Sequence, residues 1–279
     1  MLTDAGYAIE LPAPRMTASL ALRLERSEAA YMRSRMEALK SQPGNPLGVE
    51  VREFGSAIGW AVRSRPKPYY NRVMGLTVRD IDFFPAVDEW FREEELPFRV
   101  DFCPGDTTTP ALEWFARRGY YHAEFGAVFC SIPKPVEVPR RPGLEVHEIS
   151  EDERKIFAAV YAEGFARPGG TQEALDNVAV EYEAAGWRRY LATVDGAPAG
   201  VACMHIADGV ASLTSATTLP TYRGCGCQSA LIAKRISDAA ADSELVVSQA
   251  WFGTGSFRNL QRGGLNLAYT KALWLSPKQ

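Results

Sequence analysis

The chain has 279 residues, with 31 lysines and arginines, 34 aspartates and glutamates, a formal net charge of −3 and 46% hydrophobic residues. These values are typical of a folded globular protein with one large domain or two ordinary ones. They give no overall basic field, so nucleic acid is not an expected partner. No apolar run approaches the ~20 residues of a membrane helix. Asp4 and Glu10 interrupt any signal peptide, and the five scattered cysteines suit reduced thiols. We therefore expect a cytoplasmic protein.

The first half of the chain carries both helical and alternating hydrophobic patterns. They predict, in order, a helix at 16–39, strands at 48–54, 56–63 and 72–78, a helix at 85–95, a strand at 98–102, a helix from Thr109 and a strand at 124–131. The third of these helices ends in Gly119-Tyr120, and a later one ends in Gly264-Leu265. Each leads into a last strand, and this order of elements predicts a remote internal duplication.

A proline-rich segment follows. Residues 132–143 contain four prolines and a glycine, a composition that cannot hold a helix or a central strand. We therefore predict a linker at 133–143 between domains at 1–132 and 144–279.

The second half continues with a regular alternation of elements. The predicted series is a strand at 144–149, a helix opened by the capping box of Ser150 and Glu153, a helix at 172–185, strands at 189–194, 200–206 and 210–219, a helix at 228–241, a strand at 245–252, a helix at 257–262 and a strand at 266–275. Asp-Gly turns join the three middle strands, which indicates an antiparallel meander.

The segment Arg223-Gly-Cys-Gly-Cys-Gln228 stands between a predicted strand and a predicted helix. Glycines allow a tight turn whose N–H groups point into one concavity at a helix N-terminus, which favours a pyrophosphate. It is neither a Walker loop, since no Gly-Lys-Ser/Thr follows, nor a dinucleotide fingerprint, since Ser229 replaces the third glycine. Cys225-x-Cys227 lacks the second ligand pair that a structural zinc needs, so no metal is expected.

This segment resembles the coenzyme A loop of the GNAT acyltransferase superfamily, whose pattern is Gln/Arg-x-x-Gly-x-Gly/Ala. Arg223 and Gly226 match the first and fourth positions, whereas Gln228 departs from the last. Residues 256–271 also resemble the closing helix and strand of that family, with Leu265 where Phe is usual. The resemblance covers 144–275. It implies an α+β fold, of the three-layer α/β kind, with two GNAT-like mixed-sheet domains in tandem, of which the first lacks the loop.

The resemblance also implies a set of residues that bind acetyl-CoA. The strand residues Ala216, Thr217 and Thr218 are expected to pair with the pantetheine arm. The pyrophosphate is expected to be cradled by Arg223, Gly224, Cys225, Gly226, Cys227, Gln228 and Ser229. Asn259 is expected either to contact the coenzyme or to be an ordinary helix cap.

The catalytic acid and base are less clearly marked. The position of the family's acid falls near Leu260, which cannot serve, and Tyr269 is a possible substitute or simply a half-buried strand residue. Glu163 and His205 are candidates for the base, with solvated helix surface and core packing as the respective alternatives. Proton removal through ordered water would need neither.

The resemblance therefore implies an N-acyltransferase that moves an acetyl or short acyl group from acetyl-CoA to an amine of a small molecule, by direct transfer in a ternary complex. Two alternatives keep the coenzyme site. One is an enzyme that hydrolyses or decarboxylates an acyl thioester, and the other is a non-catalytic acyl-CoA sensor. Neither a membrane nor nucleic acid is an expected partner, and a homodimer is possible.

Overall fold

The computed structural model describes residues 9–105, 109–166 and 172–277. The helices are α1 (Ala18–Lys40), α2 (Phe84–Glu93), α3 (Thr109–Ala116), α4 (Arg154–Gly164), α5 (Gln172–Glu181), α6 (Cys227–Asp242) and α7 (Gly255–Arg262). The strands are β1 (Val49–Phe54), β2 (Ala57–Val62), β3 (Arg72–Met74), β4 (Arg99–Phe102), β5 (Tyr121–Ser131), β6 (Leu144–Glu148), β7 (Trp187–Val194), β8 (Ala197–Ala207), β9 (Val210–Thr218), β10 (Leu245–Trp251) and β11 (Leu267–Leu275). The predicted order of elements and the α+β class are confirmed.

Two predicted elements extend too far toward the C-terminus. The strand predicted at 72–78 stops at Met74, because Thr77 caps a 3-10 helix at Val78–Phe83 through a capping box with Asp80. The helix predicted at 172–185 ends at Glu181. The capping box of Ser150 and Glu153 is confirmed, although it opens a 3-10 turn that continues into α4.

The chain divides into two compact units, and each unit consists of two separate stretches of the chain. One unit contains residues 1–14 and 129–268, and the other contains residues 15–128 and 269–279. The change near residue 129 lies close to the predicted boundary at 132. A division at the proline-rich segment does not anticipate the grouping of the two ends of the chain. Residues up to 14 group with the second half of the chain, and residues from 269 group with the first half. Most of β11 therefore belongs to the unit that holds α1.

The unit of residues 129–268 holds a mixed sheet in the order β10-β9-β8-β7-β6. Strand β10 runs parallel to β9, and the remaining neighbours are antiparallel. Helices α4 and α5 bury Phe157, Tyr161 and Val178 against apolar residues of this sheet, and Tyr182, directly after α5, joins the same core. Helix α6 packs against β7, β8, β9 and β10.

In the unit of residues 15–128 and 269–279, neighbouring strands follow the order β1-β2-β3-β4-β11. Strand β3 is parallel to β4, whereas β11 is antiparallel to β4. Its core is aromatic, with Phe84, Phe91, Phe98 and Phe115 fully or almost fully buried.

A buried cluster of charges distinguishes this second unit. Each of its residues is at most 8% exposed, and we call it the six-charge cluster: Glu25, Glu28, Arg72, Arg99, Asp101 and Lys271. Lys271 Nζ donates to Glu25 at 2.9 Å and to Glu28 at 2.5 Å. Arg72 donates to Asp101 and to Glu28. Three carboxylates thus face three cations, and burial of charge is tolerated when it is compensated in this way.

The cations keep two carboxylates of the cluster, Asp101 and Glu28, ionised. Burial raises the pKa of Asp101, but Arg72, Arg99 and Lys271 outweigh it and hold that pKa well below its usual range. Burial likewise raises the pKa of Glu28, and the nearby Lys271 and Arg72 bring it below its usual value. Both carboxylates are therefore ionised at neutral pH.

No helix in the described ranges is long and apolar enough to cross a membrane. Asp4, which entered the argument against a signal peptide, lies outside those ranges.

Candidate functional site

Strands β9 and β10 run together for only a short distance and then part. Their registered pairs are Leu245–Val210, Val246–Ala211 and Val247–Ser212. The Ser248 hydroxyl donates to the Leu213 carbonyl at 2.7 Å just beyond the last pair. Both strands continue past this point, β9 to Thr218 and β10 to Trp251. A cleft between parting parallel strands can accept an extended ligand that hydrogen-bonds to the strand backbone.

A bulge lies in β9 within this parted segment. The register with β8 shifts between Val201 and Cys203, and Ser215 has φ +51°, a value that non-glycine residues rarely adopt. The buried Arg235 of α6 donates to the carbonyls of Cys203 at 2.8 Å and Thr214 at 3.3 Å. Burial lowers the pKa of Arg235 to about 10, so the guanidinium stays charged at neutral pH. Arg235 therefore holds the two strands together at the bulge.

The predicted loop forms a tight turn at the start of α6. Gly224 has φ +84° and Gly226 has φ +86°, so both adopt the left-handed backbone that favours glycine. The amide of Ala230 makes the first bond of the helix, to the Gly226 carbonyl at 3.0 Å, and Gly226 provides no side-chain cap. The N–H groups of 227–229 precede that bond and have no partner within the helix. Together with the helix dipole they form a site suited to an anion.

The open side of the turn and the end of β9 both suit a ligand. A Cβ added to Gly224 would meet no atom within 4 Å, so the loop is uncovered there. The Thr218 hydroxyl is buried and has no hydrogen-bond partner in the described part of the chain. A buried polar atom without a partner is costly, and a bound polar ligand would remove that cost. The residues present therefore fit coenzyme A.

The residues predicted for coenzyme A, apart from Asn259, follow one another along the end of β9 and the loop. Ala216, Thr217 and Thr218 lie on the last part of β9, and residues 223–229 follow after one 3-10 turn at Pro220–Tyr222. Burial raises the pKa of the Cys227 thiol, which keeps it protonated. Among the described residues no group of three or more His, Cys, Asp or Glu side chains is arranged to hold a metal ion.

The alternative role of Asn259 as a helix cap was wrong. Thr254 is the N-cap of α7, where its hydroxyl accepts from the Phe257 amide, and Asn259 lies in the middle of that helix. The Asn259 side chain accepts from Arg262. Its contact with the coenzyme stays a prediction.

The two candidate bases lie in different environments. Glu163 is exposed near the end of α4. His205 is buried on β8, and its ring lies 4.8 Å from that of Trp187. Burial lowers the pKa of His205, so its imidazole is neutral at neutral pH. His205 therefore lies in a packed aromatic layer, and the catalytic role of either residue stays a prediction.

Tyr269, the candidate acid, belongs to the other compact unit. Its hydroxyl donates to Glu25 at 2.8 Å, beside the six-charge cluster. Burial and the charge of Glu25 raise its pKa far above the usual value for tyrosine. A phenol with such a pKa and a carboxylate partner is poorly suited to releasing a proton. These contacts argue for a structural role.

Sequence reasoning missed a chain of hydroxyl groups at the bulge. The Tyr161 and Tyr182 hydroxyls are 2.7 Å apart, and Tyr182 donates to the Ser215 hydroxyl at 3.1 Å. Both tyrosines are buried, Tyr161 on α4 and Tyr182 directly after the end of α5. Since Tyr182 gives its one hydrogen to Ser215, Tyr161 is the donor in the first bond. The three members of this hydroxyl chain are distant in sequence. The only sequence signal for it is therefore the position of Tyr161 on one face of a helix.

The comparisons with known proteins concern the whole fold. The structure is similar to a GCN5-related N-acetyltransferase from Kribbella flavida, with TM-score 0.62, 16% sequence identity, and 95% of this chain and 97% of that chain covered. It is similar to a GCN5-related N-acetyltransferase from Sphaerobacter thermophilus, with TM-score 0.59, 18% identity and coverage of 95% and 94%. A tandem GNAT protein from the clavulanic acid biosynthesis pathway gives TM-score 0.63 at 15% identity, with 94% of each chain covered.

A scan against protein-family models and a search of curated proteins found no match. At these sequence identities the structural similarity shows the fold alone. The similarity extends over nearly the whole chain. The parting of β9 and β10 and the uncapped N-terminus of α6 lie in the half to which the sequence resemblance pointed. The chain therefore has the tandem fold of the GCN5-related N-acetyltransferases.

Proposed function

We propose that the protein is an acyltransferase that takes an acetyl or short acyl group from acetyl-CoA and gives it to an amine of a small molecule. The observation that carries this proposal is the continuity of the cleft with the anion site. Strand β9 parts from β10 and leads, through one 3-10 turn, directly to the uncapped N-terminus of α6. Coenzyme A has a matching order of groups, an extended amide-bearing arm followed by a diphosphate.

The proposal assigns the pantetheine arm and the diphosphate to different parts of this arrangement. The backbone of Ala216 to Thr218 would pair with the amides of the pantetheine arm, and the Thr218 hydroxyl would gain a partner there. The amides of 227–229 and the dipole of α6 would hold the diphosphate. Arg223 is exposed at the first position of the loop and would add a cation.

The acceptor amine is proposed to bind near the bulge in β9. There its nitrogen forms the new amide bond as the carbon–sulfur bond breaks, the nitrogen loses one proton, and the departing thiolate takes up one. The Ser215 hydroxyl accepts from Tyr182 and lies 3.3 Å from the Thr214 hydroxyl, and it would turn its own hydrogen toward developing negative charge. Tyr161 supports this orientation through Tyr182.

Calorimetric titration with acetyl-CoA tests the coenzyme site. The wild-type protein is expected to bind, and Gly224→Glu is expected to abolish binding because Gly224 has open space around it and the new carboxylate would lie beside the diphosphate. Gly196→Glu is the matched control, since Gly196 has a similar φ of +78° and open space around it, at the turn between β7 and β8. Ser229→Asp is a second variant, because an acidic residue in the first turn stabilises the helix while it repels the diphosphate.

Release of the free thiol then tests the chemistry. An acyltransferase releases coenzyme A thiol only when an amine is present. Release without any amine would indicate a thioester hydrolase, and binding with no release across an amine panel would indicate a sensor. Failure of the wild-type protein to bind acetyl-CoA would contradict the proposed function altogether.

A further inference from the structure

The last residues of the proline-rich segment bring a cation to the coenzyme loop. The guanidinium of Arg141 packs against Gly226, so that a Cβ built on that glycine would lie 2.7 Å from Nε, 2.9 Å from Cδ and 3.3 Å from Cζ of Arg141. Both residues belong to the same compact unit. Glycine is therefore required at position 226 for two reasons. Its φ is +86°, and Arg141 occupies the space that a side chain would need.

The backbone on either side of Arg141 is fixed. The Leu144 amide donates to the Arg141 carbonyl at 3.1 Å, in a turn that leads into β6. The Asp195 amide donates to the Gly143 carbonyl at 2.8 Å, which ties the same turn to the connection between β7 and β8. The arginine is therefore presented to the loop from an anchored turn.

The electrostatics of this contact favour a bound anion. The N-terminus of α6 carries a partial positive charge, equivalent to about half an elementary charge. A guanidinium beside this N-terminus adds a second positive group, so one anion can interact favourably with both. Arginine also binds phosphate oxygens through two parallel hydrogen bonds, which a lysine cannot reproduce.

We propose that Arg141 is a further ligand of the diphosphate of coenzyme A, and that it couples the proline-rich segment to the occupied site. This inference rests on the proposed function, because it needs coenzyme A in the loop. It adds a residue outside the Arg223–Gln228 segment, contributed by a part of the chain that the sequence marks only as a linker. Occupation of the site then restrains residues 140–142.

Titration with coenzyme A and with 3′-dephospho-coenzyme A measures the contribution of Arg141. Arg141→Gln is expected to weaken the binding of both about ten- to a hundredfold, the size of a charge-assisted hydrogen bond. Arg140→Gln is the matched control, since the neighbouring side chain is 88% exposed and paired with Glu137 at 3.3 Å. It is expected to leave the affinity within about twofold. Arg141→Lys is expected to restore only part of the loss.

Limited trypsin digestion provides an independent readout of the coupling. The Arg140–Arg141 bond follows an arginine and does not precede a proline, so trypsin can cleave it, whereas Arg141–Pro142 resists. Coenzyme A is expected to slow cleavage at this bond in the wild-type protein and not in Arg141→Gln. Circular dichroism and the thermal midpoint are expected to be unchanged, because the Arg141 side chain is exposed.

The outcomes separate this inference from the proposed function. If the wild-type protein binds coenzyme A and Arg141→Gln binds equally well, the role of Arg141 is refuted while the coenzyme site stands. If Arg141→Gln weakens coenzyme A but not the 3′-dephospho form, the arginine contacts the 3′-phosphate, and the diphosphate assignment is refuted. If the wild-type protein does not bind at all, the proposed function itself fails.

Discussion

The strongest stability prediction concerns Lys271, because this one side chain balances two buried carboxylates. Its Nζ donates to Glu25 and Glu28, and the lysine is 3% exposed. The six-charge cluster is neutral as a whole, with three carboxylates and three cations. Lys271→Met keeps the apolar stem but leaves one buried negative charge uncompensated. We therefore expect a large loss of stability in the unit of residues 15–128 and 269–279.

The magnitude follows from the burial. Breaking a fully buried ion pair by removing one partner costs about 3–5 kcal/mol. With a urea dependence of about 2 kcal/mol per molar, this lowers the unfolding midpoint by about 1.5–2.5 M. Lys67→Met is the matched control, since Lys67 is an exposed lysine of the same unit. It is expected to change the free energy of unfolding by less than about 0.5 kcal/mol.

Urea unfolding followed by tryptophan fluorescence is the appropriate assay. Four of the six tryptophans lie in the unit that holds the cluster: Trp60, Trp90, Trp114 and Trp274. A midpoint shift below about 0.5 M would show that the cluster is hydrated or rearranged, and would refute the reasoning.

The pH dependence of the same variant provides a second test. Burial raises the pKa of Glu25, and Lys271 is the largest influence in the opposite direction. Without the lysine this pKa moves further up, so the folded state takes up a proton as the pH falls. A group with a raised pKa in the folded state makes folding more favourable at lower pH. The loss of stability caused by Lys271→Met is therefore expected to become smaller as the pH falls from about 8 to about 5. A loss that became larger would contradict the assignment.

Three further substitutions test other parts of the structure. Tyr269→Phe removes the hydrogen bond to Glu25 and should lower stability by about 1.5–3 kcal/mol in urea unfolding. It should leave acetyl-CoA affinity unchanged in calorimetry, and a selective loss of turnover would restore Tyr269 as an acid. Gly164→Val should weaken acetyl-CoA binding, because a Cβ there would lie 2.5 Å from Cγ2 of Thr217 and push β9. Unchanged affinity would show that α4 can move. Arg235→Met should lower the thermal midpoint, because two strand carbonyls lose their hydrogen-bond donor and each loss costs about 1–3 kcal/mol of stability. An unaltered midpoint would show that water replaces the guanidinium as the donor.

The local features of the chain were predictable from the sequence. The loop at 223–228 was found because glycine is the residue that adopts positive φ without strain, and both glycines do so in the structure. The order of elements followed from hydrophobic periodicity and Asp-Gly turns, signals that act over a few residues. The helix after the loop was placed to within one residue at each end, at 228–241 against Cys227–Asp242.

Tertiary structure decided which side chains meet. Tyr269 lies 244 residues from Glu25 in sequence, yet their side chains are hydrogen-bonded, and no local pattern encodes such a pair. The same holds for Lys271, whose strand belongs to the compact unit of the chain's first half. Strand patterns give the faces of β11 but not its neighbours, because pairing is set by the burial of the whole sheet.

The hydroxyl chain at the bulge and the approach of Arg141 to Gly226 have the same origin. Both depend on backbone positions fixed by distant strands, through the register shift in β9 and the turn that leads into β6. The sequence by itself therefore determined the turn that suits a diphosphate, since that turn rests on local backbone preference. Only the folded chain decided which charges and hydroxyls surround it, because those contacts join residues that the sequence keeps far apart.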